Sequence, residues 1–172
     1  MLNCDYGGMN MTIKAIPATA ENFKPYGKLH EIHPDKMRKG TGGWSAWTAP
    51  GCIMDDICNI GITYVKSLPY IVDSMECHNP TQEVQVCGNK PIVLAVADSA
   101  PYPQASGADP AAIRAFIIRP GQVVVLNRGI WHDACRGAAD DGEECYYYFL
   151  AHSGLEPADF YPIMGEPVEV VL

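Results

Sequence analysis

Four residues in this chain have the types and spacing of metal ligands. Glu76-Cys77-His78 is followed by Glu83, and Trp131-His132 stands near the end of the next long hydrophobic stretch. Imidazole nitrogens and carboxylate oxygens suit a borderline divalent ion. Alternation along a strand turns Glu76 and His78 to one face. The turn Asn79-Pro80-Thr81 ends that strand, and Glu83 opens the next, where it is carried back towards the pair. His132 is remote in sequence, as expected of a site assembled by folding. Such a pocket would chelate neighbouring oxygens of a small substrate and lower the pKa of its hydroxyl, leaving a nearby base to take the proton. Glu76, unless it is a ligand, and Lys66, if neutral, are the candidate bases. The alternation that groups Glu76 with His78 turns Cys77 to the opposite face, where a structural role is expected.

The elements that must position these groups are short strands. Ile57 to Lys66 alternates, with Ile60, Ile62, Tyr64 and Lys66 on one face and Asn59, Gly61, Thr63 and Val65 on the other. Further strands are expected at Thr12 to Ile16, Gly27 to Ile32, Tyr70 to Cys77, Glu83 to Cys87, Pro91 to Ala97, Ile113 to Ile118, Gln122 to Leu126, Ile130 to Ala134 and Cys145 to His152. Turn signals separate nearly all of them, among them Gly88-Asn89, Pro120-Gly121 and Arg128-Gly129. Thr19 is a helix N-cap for a short turn that Pro25 limits. Many short strands at this spacing predict an all-β fold, a barrel or double-sheet jelly roll with a few short helical turns.

The length of 172 residues suits one domain, expected over 11–172, with 1–10 as a loose Gly-rich arm. A formal net charge of -8 and the lack of any Lys or Arg run argue against nucleic acid as a partner. No stretch has the length of a membrane span and no secretory signal is visible, so a cytoplasmic location is expected. The cysteines Cys4, Cys52, Cys58, Cys77, Cys87, Cys135 and Cys145 are odd in number and form no CxxC pair. They read as reduced, mostly buried small residues rather than a disulfide framework.

Other side chains have ordinary readings to set beside functional ones. Lys66 is either solvated or a base or anion anchor, and Tyr64 shares its face. Arg128 is either in a surface ion pair or a two-point partner for a carboxylate. Trp131, beside His132, is a candidate substrate contact. Trp44 and Trp47 either cover the core or a subunit contact, or form a lid. Tyr146 to Phe149 reads as sheet packing, with one tyrosine free to line the pocket. His30, His33 and His152 have no companions at ligand spacing, although His152 ends an expected strand where it could face the cavity.

Glu76-x-His78-x4-Glu83 resembles the first cupin signature, with Glu replacing the leading His, and Gly129-x-x-His132 resembles the second. More specifically, the chain resembles the ureidoglycolate lyase family of cupins. Ile13-Lys-Ala-Ile-Pro, Thr19-Ala-Glu21-Asn-Phe23-Lys-Pro-Tyr26-Gly27, Glu76-Cys-His78-Asn-Pro, Ile92-Val-Leu-Ala-Val, Ile113-Arg-Ala-Phe116-Ile and Arg128-Gly-Ile-Trp131-His132 carry the likeness, from about Met11 to Gly154. It departs at Cys77, where the family has Arg, at Glu83, where the family has Gln, and at Gly61 to Lys66, where Lys66 replaces an arginine. The resemblance implies a cupin jelly roll, a homodimer and cleavage of ureidoglycolate to glyoxylate and urea. The site would comprise His78, Glu83, His132 and Glu76 around nickel, manganese or zinc, with Lys66 or Glu76 as base and Tyr64, Arg128 and Trp131 towards a small polar carboxylate or hydroxy-carbonyl substrate. The same pocket suits a metal-dependent sugar or keto-acid isomerase, a cupin that binds a small ligand without turning it over, or an iron dioxygenase.

Overall fold

The runs of alternating and wholly apolar residues form strands close to their expected bounds. A computed structural model describes residues 11–39, 45–48, 52, 57–67, 69–139, 143–152 and 160–172. In chain order its strands are β1 (Met11–Lys14), β2 (Ile16–Pro17), β3 (Gly27–Glu31), β4 (Arg38–Lys39), β5 (Ser45–Ala46), β6 (Cys58–Val65), β7 (Tyr70–Val72), β8 (Ser74–Cys77), β9 (Glu83–Cys87), β10 (Ile92–Ala97), β11 (Ile113–Ile118), β12 (Gln122–Leu126), β13 (Trp131–His132), β14 (Arg136–Gly137), β15 (Cys145–His152), β16 (Tyr161–Pro162) and β17 (Val168–Val171). Among the described residues the helical content is two single 3-10 turns, Pro34–Lys36 and Pro110–Ala112. The Thr19 turn forms as expected: Asn22 N–H donates to Thr19 Oγ1 at 3.1 Å, and Thr19 N–H donates to Asn22 Oδ1 at 2.8 Å.

Two sheets face each other. One runs β3-β12-β9-β15-β6, the other β16-β8-β13-β10-β11-β2, with β14 also on β10. The chain passes between them at almost every turn from β8 to β15, the winding of a jelly roll. The interior between them is filled from one side by Ile92, Leu94, Val96, Phe116 and Ile118, and from the other by Val65, Cys87, Val124, Leu126 and Tyr147. Strand β10 is buried on both faces, which is why its sequence is an unbroken apolar run. Its other face, with Trp131, Met75 and Ile113, packs on a third sheet, β1-β17-β7, through Tyr70, Val72, Val168 and Val170.

Three sequence expectations change. Tyr70 to Cys77 is two strands in different sheets, because the buried positions Tyr70 and Val72 are followed by Met75 and the alternation slips at Asp73. The C-terminal strand β17, parallel to β1 and antiparallel to β7, went unassigned, although Val168 and Val170 alternate with polar and exposed Glu169. Trp47 packs edge-on against His30 at 6.2 Å, and His30 pairs with Val123 on the outer face of β3, so Trp47 covers a sheet rather than the pocket. Trp44 and the arm at 1–10 lie outside the described residues.

Candidate metal centre

Strand register places the four ligand-type residues at one end of the interior. His132 pairs with Val96 on one side and Glu76 on the other, and all three share the inner face because Val96 belongs to the interior core. His78 follows β8 directly. Glu83, the first residue of β9, reaches over from the facing sheet. One ligand atom from each of Glu76, His78, Glu83 and His132 lies within 4.8 Å of all the others.

The shorter distances are those of a shared ion site. Glu83 Oε2 stands 2.9 Å from His132 Nε2 and 3.2 Å from His78 Nε2. Glu76 turns one oxygen to each histidine, Oε1 at 3.4 Å from His132 Nε2 and Oε2 at 3.6 Å from His78 Nε2. Adjacent ligands about 2.1 Å from a metal stand about 3 Å apart, so this set fits a divalent ion with only small adjustments. His132 Nδ1 faces the Ile130 carbonyl at 3.1 Å, which holds its proton on Nδ1 and leaves Nε2 for a metal.

The turn before β13 ties both histidines together. Gly129 has φ +75°, a conformation that favours glycine, and its N–H donates to the His78 carbonyl at 2.8 Å. That explains physically why a glycine three residues before His132 serves the site.

Without metal the cluster is an ion pair. Burial alone would raise the Glu83 carboxyl, but the His132 charge, with hydrogen bonds from His132, His78 and Gln85, holds it well below the usual carboxylate range. Burial likewise opposes charging of His132, yet Glu83 first and then Glu76 push its pKa well up.

The comparisons with known proteins decide the family. Residues 10–154 match the ureidoglycolate lyase family. The chain belongs to it. The ureidoglycolate lyase of Agrobacterium fabrum is 31% identical over 124 residues, covering 67% of this chain and 71% of that one. That of Rhizobium etli strain CIAT 652 is 29% identical over the same length and coverage. A likeness to RmlC from Streptococcus suis in complex with dTDP-D-xylose has a TM-score of 0.40 at 9% identity, covering 58% of this chain and 45% of that chain. Membership of the ureidoglycolate lyase family makes this protein a lyase, and the two facing sheets form its jelly roll.

Several expected site residues lie elsewhere in this family member. Tyr64 is exposed on the outer face of β6, its ring 5.6 Å from Tyr146. Lys66 is exposed and at the wrong end: Ile60 is level with Val84, next to Glu83, through their shared partner Leu150, and Lys66 lies six residues further on, about 20 Å along the strand direction. Trp131 is fully buried on the opposite side of its sheet from His132, with its indole N–H on the Ala100 carbonyl at 2.9 Å. Adjacent strand residues point to opposite faces, so Trp131 packs against the third sheet and not the pocket. His152 pairs with Cys58 on the outer face, away from the cavity. His33 stands 3.8 Å from Glu31 in a surface pair. Arg128 is exposed on the turn whose Gly129 N–H donates to the His78 carbonyl.

Cys77 faces away from the cluster and packs with Trp131 and Met75, where burial raises its thiol pKa. Burial also pushes Cys87 up to about 12 and raises Cys135 well above the usual thiol range, as expected of unreactive core cysteines.

One functional residue was missed from sequence. Gln85 is buried beside Glu83 on the inner face of β9; its Nε2 donates to Glu83 Oε1 at 2.8 Å, and its Oε1 accepts from Cys135 Sγ at 3.3 Å. With Oε1 held, Glu83 turns Oε2 to the histidines. The signal was present: Glu83 and Gln85 are polar at two successive inward positions of a strand whose next inward residue, Cys87, is in the core.

Proposed function

We propose that the protein cleaves ureidoglycolate to glyoxylate and urea with a divalent metal held by His78, Glu83 and His132. The observation that carries this reading is the convergence of four ligand atoms at the mouth of a ureidoglycolate lyase family barrel. Bound there, nickel, manganese or zinc supplies a Lewis acid for the substrate's hydroxyl and carboxylate oxygens.

Glu76 is the base. Its carboxylate is less buried than that of Glu83, 15% against 6% exposed, and it stands at the longer distances from both histidines. It takes the hydroxyl proton as the oxygen's electrons form the new carbonyl and the C–N bonding pair leaves with the urea nitrogen. The same proton, returned from Glu76 to that nitrogen, completes urea. Gln85, bonded to Glu83 Oε1, keeps Glu83 Oε2 turned to the histidines as a ligand. Arg128 stands at the mouth on the His78 side, where an anionic substrate enters.

The test is release of both glyoxylate and urea from ureidoglycolate, followed in parallel. Equimolar release well above the spontaneous rate supports the assignment, and no excess over that rate overturns it.

We further propose a homodimer in a reducing, cytoplasmic setting, with residues 11–172 as one cupin unit. All six described cysteines lack disulfides. The outer face of β6 and β15 presents Ile60, Ile62, Tyr64 and Tyr148 to solvent, with Ile60 85% exposed, an apolar surface of the kind a subunit contact covers. Among the described residues no helix is long and apolar enough to cross a membrane.

A further inference from the structure

The inner-face row that carries the site continues beyond it. Glu76 pairs with His132, His132 with Val96, and Val96 with Arg114 on β11. Residues paired across neighbouring strands point to the same face, and the alternation of β11 agrees: Ile113 and Ala115 face the outer core, whereas Phe116 and Ile118 face the interior with Val96. Arg114 therefore stands on the metal centre's face and level, two strands from His132, about 10 Å between backbones. It belongs to the mouth, where β11 begins.

Its guanidinium is set at the rim rather than paired. Nη1 donates to the carbonyls of Ala111 at 2.9 Å and Ile113 at 2.7 Å. Arg114 makes no ion pair with a carboxylate among the described residues, and Nη2 and Nε remain as a second edge with donors in fork geometry. Tyr26 packs its ring on Phe116 at 5.4 Å. Burial chiefly raises its phenol pKa, while Arg114 lowers and Asp98 raises it, and Asp98 directly follows β10 at the end where β11 begins, since Ala97 pairs with Ile113. Asp98 is the competing anion there, and it is exposed.

We propose that Arg114 binds the anionic end of the substrate, a small 2-hydroxy or 2-oxo carboxylate that spans from the metal centre to the rim where β11 begins. This rests on the lyase reading of the same site and names the group that selects for charge. A planar fork suits a carboxylate in two-point contact, and a lysine at this position keeps the charge but loses the fork. It also explains how a chain whose Lys66 lies at the far end of the barrel retains a cation for its substrate. Arg114 was within the quoted likeness Ile113-Arg-Ala-Phe116, but only register shows which way it faces.

The experiment compares Arg114→Gln and Arg114→Lys with wild type, each metal-loaded. Expected for Arg114→Gln is a KM for ureidoglycolate raised at least about tenfold with kcat within about twofold and metal affinity unchanged, the pattern of lost uniform binding, with Arg114→Lys in between. An unchanged KM overturns the assignment. Calorimetric titration with oxalate separates this from the lyase reading, because it needs no turnover: wild type binds and Arg114→Gln binds at least tenfold more weakly. Equal oxalate affinity, or no binding by either protein, overturns the proposal whatever the activity. Unchanged thermal unfolding of the variants shows that folding is not the cause.

Discussion

At the scale of single residues, the centre depends on one shared oxygen. Glu83 Oε2 serves both histidines while Gln85 occupies Oε1. Outer hydrogen-bond partners of ligands are worth about 10 to 100-fold in metal affinity, so Gln85→Leu should weaken divalent-metal binding by that range without loss of fold. Direct titration of metal-stripped protein measures it. His132→Ala removes a ligand itself and should cost more than about 100-fold. The ion pair also predicts a pH dependence for the metal-free protein. The His132 pKa is raised above its unfolded value of 6.5, so its contribution is complete below that pH and is lost as pH rises through the raised value. Glu83 is depressed from 4.5, so its contribution is complete above that value and is lost as pH falls through the depressed one. The pair therefore stabilises most between about pH 4.5 and 6.5. The difference in unfolding midpoint between wild type and His132→Gln, both metal-free, should be largest in that window and shrink towards pH 9. A difference that grows to pH 9 contradicts the pair. Metal displaces the His132 proton, so affinity should fall as the solution is acidified.

At the scale of elements, the turn 127–130 and the strand β17 carry most of what remains to be tested. Gly129→Ala forces a side chain into a positive-φ position beside Pro101 and Asn79. It should cost about 1–2 kcal/mol in chemical denaturation and, by shifting the bond to His78, weaken metal binding as well. Val168, fully buried between the second and third sheets, should cost about 2 kcal/mol when changed to Ala and leave metal affinity unaltered. The contrast separates support of the fold from support of the site. These elements also show what was legible in the sequence. Glu76, His78, Glu83 and His132 were readable because ligand types at strand edges, with a turn between and a glycine before, leave few alternatives. Alternation also assigned the two faces of β6 correctly. It says nothing of level, however, and Lys66 went to the far end of the barrel because only the partners of β6 and β15 fix which end is which. Trp131 was misassigned for a simpler reason: a neighbour of an inward strand residue points outward. Gln85 and Arg114 are polar residues at inward positions, visible as exceptions only once the inner face is known.

At the scale of the whole molecule, three stacked sheets hold the centre at one end of the inner space. The third sheet buries the back of β10 and β13, so that the strand carrying His132 is fixed on both sides. The exposed apolar face of β6 and β15 lies on the opposite side of the molecule from that third sheet. If it is the subunit contact, Ile60→Asp should convert a dimer to a monomer in light scattering at micromolar concentration with the metal centre intact; an unchanged mass would place the contact elsewhere. The reaction itself is tested most directly by stripping the protein of metal, adding a divalent ion stepwise, and recording glyoxylate and urea release from ureidoglycolate. Activity should rise from the spontaneous rate to a break at one ion per chain, and His132→Ala should stay at the spontaneous rate throughout. Equal activity in stripped and loaded protein, or no release above the spontaneous rate at any loading, would contradict it.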